Sequence, residues 1–299
     1  LMSLLNHPSV LKFVSYFTTN FEGDPLPTII TELAMNGSLR DIINMESQGL
    51  SPDEWNFTEK LINIYGIASG MSYLHSHNVI HRDLKPEISD FGLSKITDFL
   101  SASMNFQSQR GTKGTPAYMA PEILTDEKYS KSSDVYAFGF IVYEILTCKE
   151  PFPNFDMFKL MKKVVKDGYR PSISEDVPNS YHELIESCWS QEAEERPSFD
   201  KIVSDLKKNE GFITELVDEN EYYDYVDFID NYQSTFDVTK RSVHFSDFIK
   251  QHGRNKNVKP ILLNDSFLDE ELTTDSINNN ETEPYKEESD QYPSKDMTD

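Results

Sequence analysis

The feature that most constrains the fold is a long stretch of helical periodicity between Trp55 and His77. Apolar side chains recur there at the three- and four-residue spacing that places them on one face of an α-helix. They are Leu61, Ile64, Ile67, Ala68, Met71 and Leu74. The pattern predicts a long helix with a buried face.

Helical patterning continues beyond residue 90. Proline-marked loops separate the four further segments that we predict as helices, Ser133 to Thr147, Met157 to Asp167, Ser180 to Trp189 and Phe199 to Asn209. We find no internal repeat. This part of the chain is therefore predicted to form a mostly helical lobe.

The first fifty residues combine strand and helix signals. An apolar helix end at residues 1–5 precedes a strand-like run from Val10 to Phe17, and residues 28–32 form a second β-rich run. Ser38 is placed to cap a short helix over Leu39 to Met45. A small sheet next to the helical lobe is the expected result.

Composition is typical of a globular protein with an acidic end. The 299 residues are 37% apolar and carry a net charge of −23, of which −14 lies in residues 210–299. Such a charge disfavours nucleic acid as a partner. We predict an acidic amphipathic helical extension over residues 210–263, and an acidic disordered tail over residues 264–299.

Cysteine content and apolar runs bear on the compartment. Cys148 and Cys188 are too few and too far apart for a disulfide framework or a zinc site, so we expect two buried thiols in a reducing compartment. The longest apolar stretch, Val135 to Leu146, is too short to span a membrane. Leu1 is not an initiator methionine, so an upstream targeting segment remains an open alternative. The expected location is the cytoplasm.

Four short motifs that bear chemistry follow one another along the chain. They are His-Arg-Asp-Leu-Lys-Pro at residues 81–86, Asp-Phe-Gly at 90–92, Ala-Pro-Glu at 120–122 and Asp-Val-Tyr-Ala-Phe-Gly at 134–139. The ordered set resembles the signature of the eukaryotic protein kinases over about residues 1–209. The resemblance implies an α+β, protein-kinase-like fold, mainly the helical C-terminal lobe with a remnant of the N-terminal-lobe sheet. Residues 1–209 would then be a partial kinase domain.

The resemblance implies roles in phosphoryl transfer for four residues. The reaction needs a carboxylate that orients the attacking hydroxyl and a metal that neutralises the phosphates. Asp83 matches that carboxylate, Lys85 the lysine that contacts the transferred phosphate in serine/threonine kinases, and Asp90 the metal-binding carboxylate. Thr115 matches the threonine that hydrogen-bonds the catalytic aspartate and lysine. The competing interpretation of the two aspartates is a loop turn and a helix cap.

Arg82 suggests control by phosphorylation. An arginine beside the catalytic aspartate can pair with a phosphate on the activation segment, residues 90–122. The sequence does not choose among four hydroxyls of that segment, Ser101, Ser103, Ser108 and Thr112. The alternative is that Arg82 lies on a solvated surface.

The remaining family matches are architectural. Glu122 and Arg196 resemble the ion pair that anchors the activation segment to the lobe, and Asp134 resembles the residue that fastens the catalytic loop to a core helix. Gly92 completes the Asp-Phe-Gly motif. A stacked apolar column that links the two lobes is matched by Met2, Phe13, His81 and Phe91.

Matches to the nucleotide site imply ATP and Mg²⁺ as cofactors. Thr31 matches the gatekeeper, and Glu32 to Ala34 match the hinge whose backbone would hydrogen-bond adenine. Residues 93–95, 118–120 and 132–138 look most like the tyrosine-kinase-like group of serine/threonine kinases.

The chain departs from the family pattern in two places. No Gly-x-Gly-x-x-Gly and no Val-Ala-x-Lys precede residues 6–8, and the family's asparagine, five residues after the catalytic aspartate, is replaced by Ile88. Asp90 comes two residues after Ile88, whereas the family has a β-hairpin of roughly a dozen residues in between. Glu87 and Ser89 are poor substitutes for the asparagine, because magnesium demands nearly octahedral geometry.

Three hypotheses follow. The first is an incomplete record of a serine/threonine kinase, with the chain as it stands predicted to be inactive. The second is a pseudokinase that acts as a protein-binding scaffold, and the third, disfavoured by the motif order, is an acidic adaptor without kinase ancestry. The expected partners are ATP and a protein substrate or signalling partner, with no nucleic acid and no membrane.

Overall fold

A computed structural model describes residues 5–32, 37–87, 116–125 and 128–232, all within one compact unit. Several residues singled out by the sequence lie outside these ranges: Met2, Ala34, Asp90, Phe91, Gly92, Thr115 and the four hydroxyl residues of the activation segment.

The small sheet consists of two antiparallel strands, β1 (Phe13–Phe17) and β2 (Thr28–Thr31). Phe13 lies opposite Thr31 and Phe17 opposite Thr28, with a shift of register between Phe13 and Ser15. The buried ends of β1, Phe13 and Phe17, are apolar. The sheet together with the helices that follow it confirms the predicted α+β, kinase-like fold class.

Helix α1 (Leu39–Ser47) begins at the predicted cap. The Ser38 hydroxyl accepts from the amide of Asp41, and the Asp41 carboxylate accepts from the amide of Ser38, which completes a capping box. Leu39, Ile42 and Ile43 are buried. The cap and the apolar spacing together fix where this helix starts and which face it buries.

Helix α2 (Phe57–Ser76) is the long helix that the periodicity predicts, and Asn56 caps it. It is buried almost all round rather than on one face. Lys60, Asn63 and His75 are buried beside its apolar residues, because other helices pack on several sides of α2. Lys60 is accommodated through an ion pair with Glu46, which lies in α1.

The second core helix is α4 (Lys131–Thr147), which follows the short α3 (Pro121–Leu124). Ser130 caps α4, so the helix begins two residues before the predicted start. It ends at Cys148, which adopts a left-handed backbone conformation with φ of 54°. The prediction of two buried thiols is wrong for Cys148, which is only partly buried as the residue that ends α4; Cys188 is buried.

Four further helices complete the described lobe. Helix α5 (Met157–Leu160) continues as a π-helix (Met161–Lys166), and α6 (Asn179–Cys188), α7 (Phe199–Lys208) and α8 (Glu219–Asp230) follow. Short 3₁₀ turns cover Pro116–Tyr118, Ala193–Glu195 and Glu210–Phe212. None of the helices in the described ranges has the length and apolar content of a membrane span.

The acidic helix α8 packs against α2. Tyr222 is fully buried, and its hydroxyl donates to the carbonyl of Leu206 while its ring meets Tyr65 edge-on at 5.9 Å. Lys207 forms an ion pair with Asp230. The amphipathic helix predicted within residues 210–263 therefore belongs to the same compact unit as the lobe. The limits of the three regions, residues 1–209, 210–263 and 264–299, stay a prediction.

Candidate active site

The His-Arg-Asp-Leu-Lys-Pro motif lies in the loop that follows α2. Lys85 Nζ lies 3.3 Å from Asp83 Oδ2, and the two side chains are 22% and 26% exposed. Each side chain therefore keeps part of its surface open to solvent.

Asp134 fastens this loop to the first turn of α4. Its carboxylate accepts hydrogen bonds from the backbone amides of His81 and Arg82, each at 2.8 Å, and lies 2.9 Å from His75 Nε2. The carboxylate is 2% exposed. A buried carboxylate needs several partners to offset lost hydration, so the contacts that satisfy Asp134 also fix the loop.

Arg82 carries the backbone strain of the loop. Its φ is 71°, in the left-handed region, which costs a residue with a side chain roughly 1–2 kcal/mol. The hydrogen bond from its amide to Asp134 offsets that cost. The turn at Arg82 directly precedes Asp83, so this bond helps to set where Asp83 lies.

A cavity of about 20 Å³ lies beside Asp83, roughly the space of one water molecule. Met119 and Ala120 line it together with Asp83 and Asp134. Tyr129 also lines it, and burial, together with the nearby charges of Asp83 and Asp134, raises the pKa of its hydroxyl. The structure therefore brings the catalytic-loop motif and the Ala-Pro-Glu motif to one place.

Glu122 and Arg196 form a bidentate ion pair, with distances of 2.7 and 2.8 Å. The Arg196 side chain is fully buried, and it also donates to the carbonyls of Ser190 and Ser132. Its guanidinium lies over the ring of Tyr136, 5.0 Å from the centroid. This set ties α3 to α4 and to the loop before α7.

Arg40, Tyr118 and Glu144 form a buried cluster that motif matching missed. Arg40 makes an ion pair with Glu144, and the Tyr118 hydroxyl is 2.6 Å from Arg40 Nη2 and donates to Glu144 at 2.5 Å. Burial opposes the charge of Arg40, but hydrogen bonding and attraction to Glu144 outweigh it and raise the pKa of Arg40. For Glu144 burial raises the pKa, against the lowering effect of its hydrogen bonds to Arg40 and Tyr118.

This cluster also reaches the end of the catalytic loop. The amide of Arg40 donates to the carbonyl of Pro86 at 2.8 Å, and Arg40 Nε lies 3.7 Å from Glu87. A signal for the cluster is present in the sequence, since Glu144 interrupts the apolar run of α4. A carboxylate inside an apolar helix needs a cation, although the sequence does not reveal which one.

The residues matched to the hinge lie on the small sheet. Thr31 ends β2, and the Glu32 amide donates to the carbonyl of Lys12 while the Lys12 amide donates to Glu32 Oε1. His81, the first residue of the loop motif, is buried, and Phe13 is buried at the start of β1. The roles of all these residues stay predictions.

The two positions that match the family's magnesium ligands lie outside the described ranges. Over the described ranges, no three His, Cys, Asp or Glu side chains cluster as metal ligands would. Asp90 lies outside those ranges, and Ile88 offers an apolar side chain where the family has an asparagine. An apolar group cannot ligate magnesium, which takes oxygen ligands.

A two-stranded sheet, a helical lobe and a loop that presents Asp83 and Lys85 while bound to a core helix define the C-terminal lobe of a protein kinase. The family model for protein tyrosine and serine/threonine kinases matches residues 1–206. The chain belongs to this family, and its predicted likeness to the tyrosine-kinase-like group is confirmed.

Three relatives illustrate the similarity. The chain is 34% identical over 212 residues to a serine/threonine-protein kinase/receptor of Acanthamoeba polyphaga mimivirus. The matched region covers 69% of this chain and 12% of that protein. It is 35% identical to a LIM domain-containing serine/threonine-protein kinase of Dictyostelium discoideum, over 70% of this chain and 32% of the relative. The serine/threonine-protein kinase CTR1 of Arabidopsis thaliana is 34% identical to the chain, and the matched region covers 69% of this chain and 25% of the relative. The chain thus spans a third or less of these relatives.

Proposed function

We propose that the chain is the substrate-orienting lobe of a serine/threonine protein kinase. The observation that carries this proposal is the accessible Asp83–Lys85 pair, 3.3 Å apart, on a loop whose backbone is bound to the buried Asp134. Support for serine and threonine as acceptors comes from Lys85, because tyrosine kinases usually carry another residue at the matching position.

The proposed roles follow from the charges of the two side chains. The Asp83 carboxylate accepts a hydrogen bond from the substrate hydroxyl, aims its oxygen and takes its proton as the new bond to phosphorus forms. Lys85 places a positive charge beside the incoming phosphoryl oxygens. ATP, bound with Mg²⁺, is the phosphoryl donor in the family. Because the metal ligands are incomplete, we predict no measurable phosphotransfer by the 299 residues as they stand.

The transcript across Glu87 and Ile88 provides the first test. Recovery of an asparagine and a hairpin at this point supports the kinase proposal. A chain expressed with the recovered residues is then expected to label generic protein substrates on serine and threonine, and Asp83→Asn is expected to lower the rate by at least about a hundredfold. Labelling confined to tyrosine would contradict the proposed specificity.

A pseudokinase scaffold is the second candidate, and it is favoured by the single residue, Ser89, that separates Ile88 from Asp90 where the family has a β-hairpin. This proposal requires a transcript that matches the present sequence, no Mg·ATP binding and a protein partner that Asp83→Asn retains at unchanged affinity. Loss of the partner in that variant would argue against a scaffold. For either candidate we propose a cytoplasmic location, which the two unpaired cysteines, Cys148 and Cys188, support.

A further inference from the structure

The chain continues past the family match, which ends within α7, as a segment that packs back onto the lobe. We call this segment, residues 210–232, the strap. The hydroxyl of Tyr181 in α6 donates to the carbonyl of Phe212 at 3.0 Å. The amide of Asp218 donates to the hydroxyl of Thr58 in α2 at 2.8 Å. The strap is therefore fastened to two helices of the lobe before α8 begins.

Helix α8 of the strap reaches the loop at residues 6–10, which precedes β1. A Cβ added at Gly66 in α2 would lie 2.7 Å from the Tyr225 hydroxyl and 3.6 Å from the Ser9 hydroxyl, so the glycine leaves room for both groups. Ser9 is fully buried. Burial raises the pKa of the Tyr225 hydroxyl to about 12, against the lowering effect of the Ser9 side chain. Tyr225 thus joins the strap to the loop.

The loop is held by α2 as well as by the strap. The His7 ring stacks on Tyr73 of α2 with 5.1 Å between the ring centroids, and the Ser9 amide lies 3.1 Å from His7 Nδ1. Phe228 and Tyr232, at the end of the strap, line a cavity of about 150 Å³ together with His7. Removal of the strap would therefore take away part of the packing around the loop.

Electrostatic repulsion opposes the docking of α8. The helix contains five aspartates and glutamates and no lysine or arginine, and residues 1–209 also carry a net negative charge, −9. Burial raises the pKa of Glu59 in α2, and the negative charge of Glu221 in α8 raises it as well. Lys207 acts in the other direction, since its Nζ lies 2.5 and 2.7 Å from the two carboxylate oxygens of Asp230. The ion pair offsets part of the repulsion that α8 meets.

We propose that the strap is a charge-sensitive switch that orders the loop at residues 6–10 when α8 is docked and loosens it when α8 is released. A segment held by few ion pairs against like charge opens at a lower free energy than the core does. The loop leads into the sheet that carries Thr31 and Glu32, the residues matched to the hinge. Release of α8 would therefore be felt at the sheet. The proposal concerns order within the chain and does not depend on phosphotransfer.

The test is amide hydrogen exchange, followed by NMR on the 299-residue chain, at Ser9 and Val10. Lys207→Glu is expected to speed exchange at these amides about tenfold, because a partly exposed attraction is lost and a repulsion replaces it. The charge swap Lys207→Glu/Asp230→Lys is expected to return exchange to within about twofold of the wild type. Raising the salt from about 0.01 M to about 1 M shortens the screening length from about 30 Å to about 3 Å, so the effect of Lys207→Glu is expected to shrink.

The matched control is Lys201→Glu, which reverses the charge of a lysine paired with Asp205 within α7. We expect no change at Ser9 and Val10 in this variant, nor in Asp83→Asn, which separates the proposal from the proposed kinase activity. Equal acceleration by Lys201→Glu would overturn the proposal, and so would unchanged exchange in Lys207→Glu or a charge swap that restores nothing. Equal acceleration of the amides in the middle of α4 by Lys207→Glu would also overturn it, because that result shows general destabilisation.

Discussion

Replacing Glu144 with leucine tests the buried cluster that joins α1, α4 and the segment before α3. Glu144 is fully buried and accepts hydrogen bonds from Arg40 and Tyr118. Removal of one partner from a buried ion pair costs roughly 3–5 kcal/mol, because it strands the other charge. Arg40 retains some exposure, 19%, and a contact with Glu87 at 3.7 Å. We therefore expect the lower end of that range, about 3 kcal/mol.

A double-mutant cycle in urea measures this effect. Arg40→Met and Glu144→Leu are each expected to lower the free energy of unfolding by about 3 kcal/mol. The double variant is expected to lose at least about 2 kcal/mol less than the two single variants lose together. The reason is that an apolar pair of similar volume replaces both charges and leaves neither one buried without a partner. A single-variant cost below about 1 kcal/mol, the value of a surface pair, or strictly additive losses would refute this reasoning.

Three further predictions concern other parts of the lobe. Burial lowers the pKa of His7 to about 4 from 6.5. As the pH falls, His7 is therefore protonated in the unfolded chain before it is protonated in the folded one, and the free energy of unfolding falls as the pH drops from 6.5 towards 4. Between pH 8 and pH 5, the free energy of unfolding in urea is expected to fall by about 2 kcal/mol less in His7→Gln than in the wild type. The same pH dependence in both proteins would contradict this prediction. Gly66→Ala would place a Cβ 2.7 Å from the Tyr225 hydroxyl, so we expect a thermal destabilisation of about 1–3 kcal/mol that Tyr225→Phe partly restores; no restoration would show that α8 does not pack there. Arg196→Lys keeps the charge but loses the bidentate pair with Glu122, and a measured cost in urea below about 2 kcal/mol would contradict the anchoring role.

Sequence periodicity predicts most of the helices, because each buries an apolar face and several begin at a recognisable cap. Ser38 illustrates this, since its capping box sets the start of α1. Periodicity did not predict how far α2 is buried, because His75 is polar and its buried partner, Asp134, lies 59 residues away in the sequence. The same limit applies to Arg40 and Glu144, which are 104 residues apart. Cys148 was predicted to be buried, but its position as the cap of α4 leaves it partly exposed.

The sequence motifs singled out the residues of the candidate site, and the functional roles of those residues stay predictions. The motif order placed Asp83, Lys85, Asp134, Glu122 and Arg196, and the structure brings Asp83 to Lys85 and Glu122 to Arg196. The family resemblance predicts the Glu122–Arg196 ion pair, whereas the contact between Lys85 and Asp83 is seen only in the structure. The positive φ of the residue before Asp83 and the cavity beside it depend on three-dimensional packing, which motifs do not encode.

We propose that the 299 residues keep the carboxylate of the catalytic loop, Asp83, but lack the asparagine that completes the family's magnesium site. The most direct measurement is the thermal unfolding midpoint of the 299-residue chain with and without excess Mg·ATP. A ligand that binds the folded state raises this midpoint by mass action, and we predict no change because Ile88 supplies no metal ligand. A clear rise that Asp90→Ala abolishes would contradict the claim.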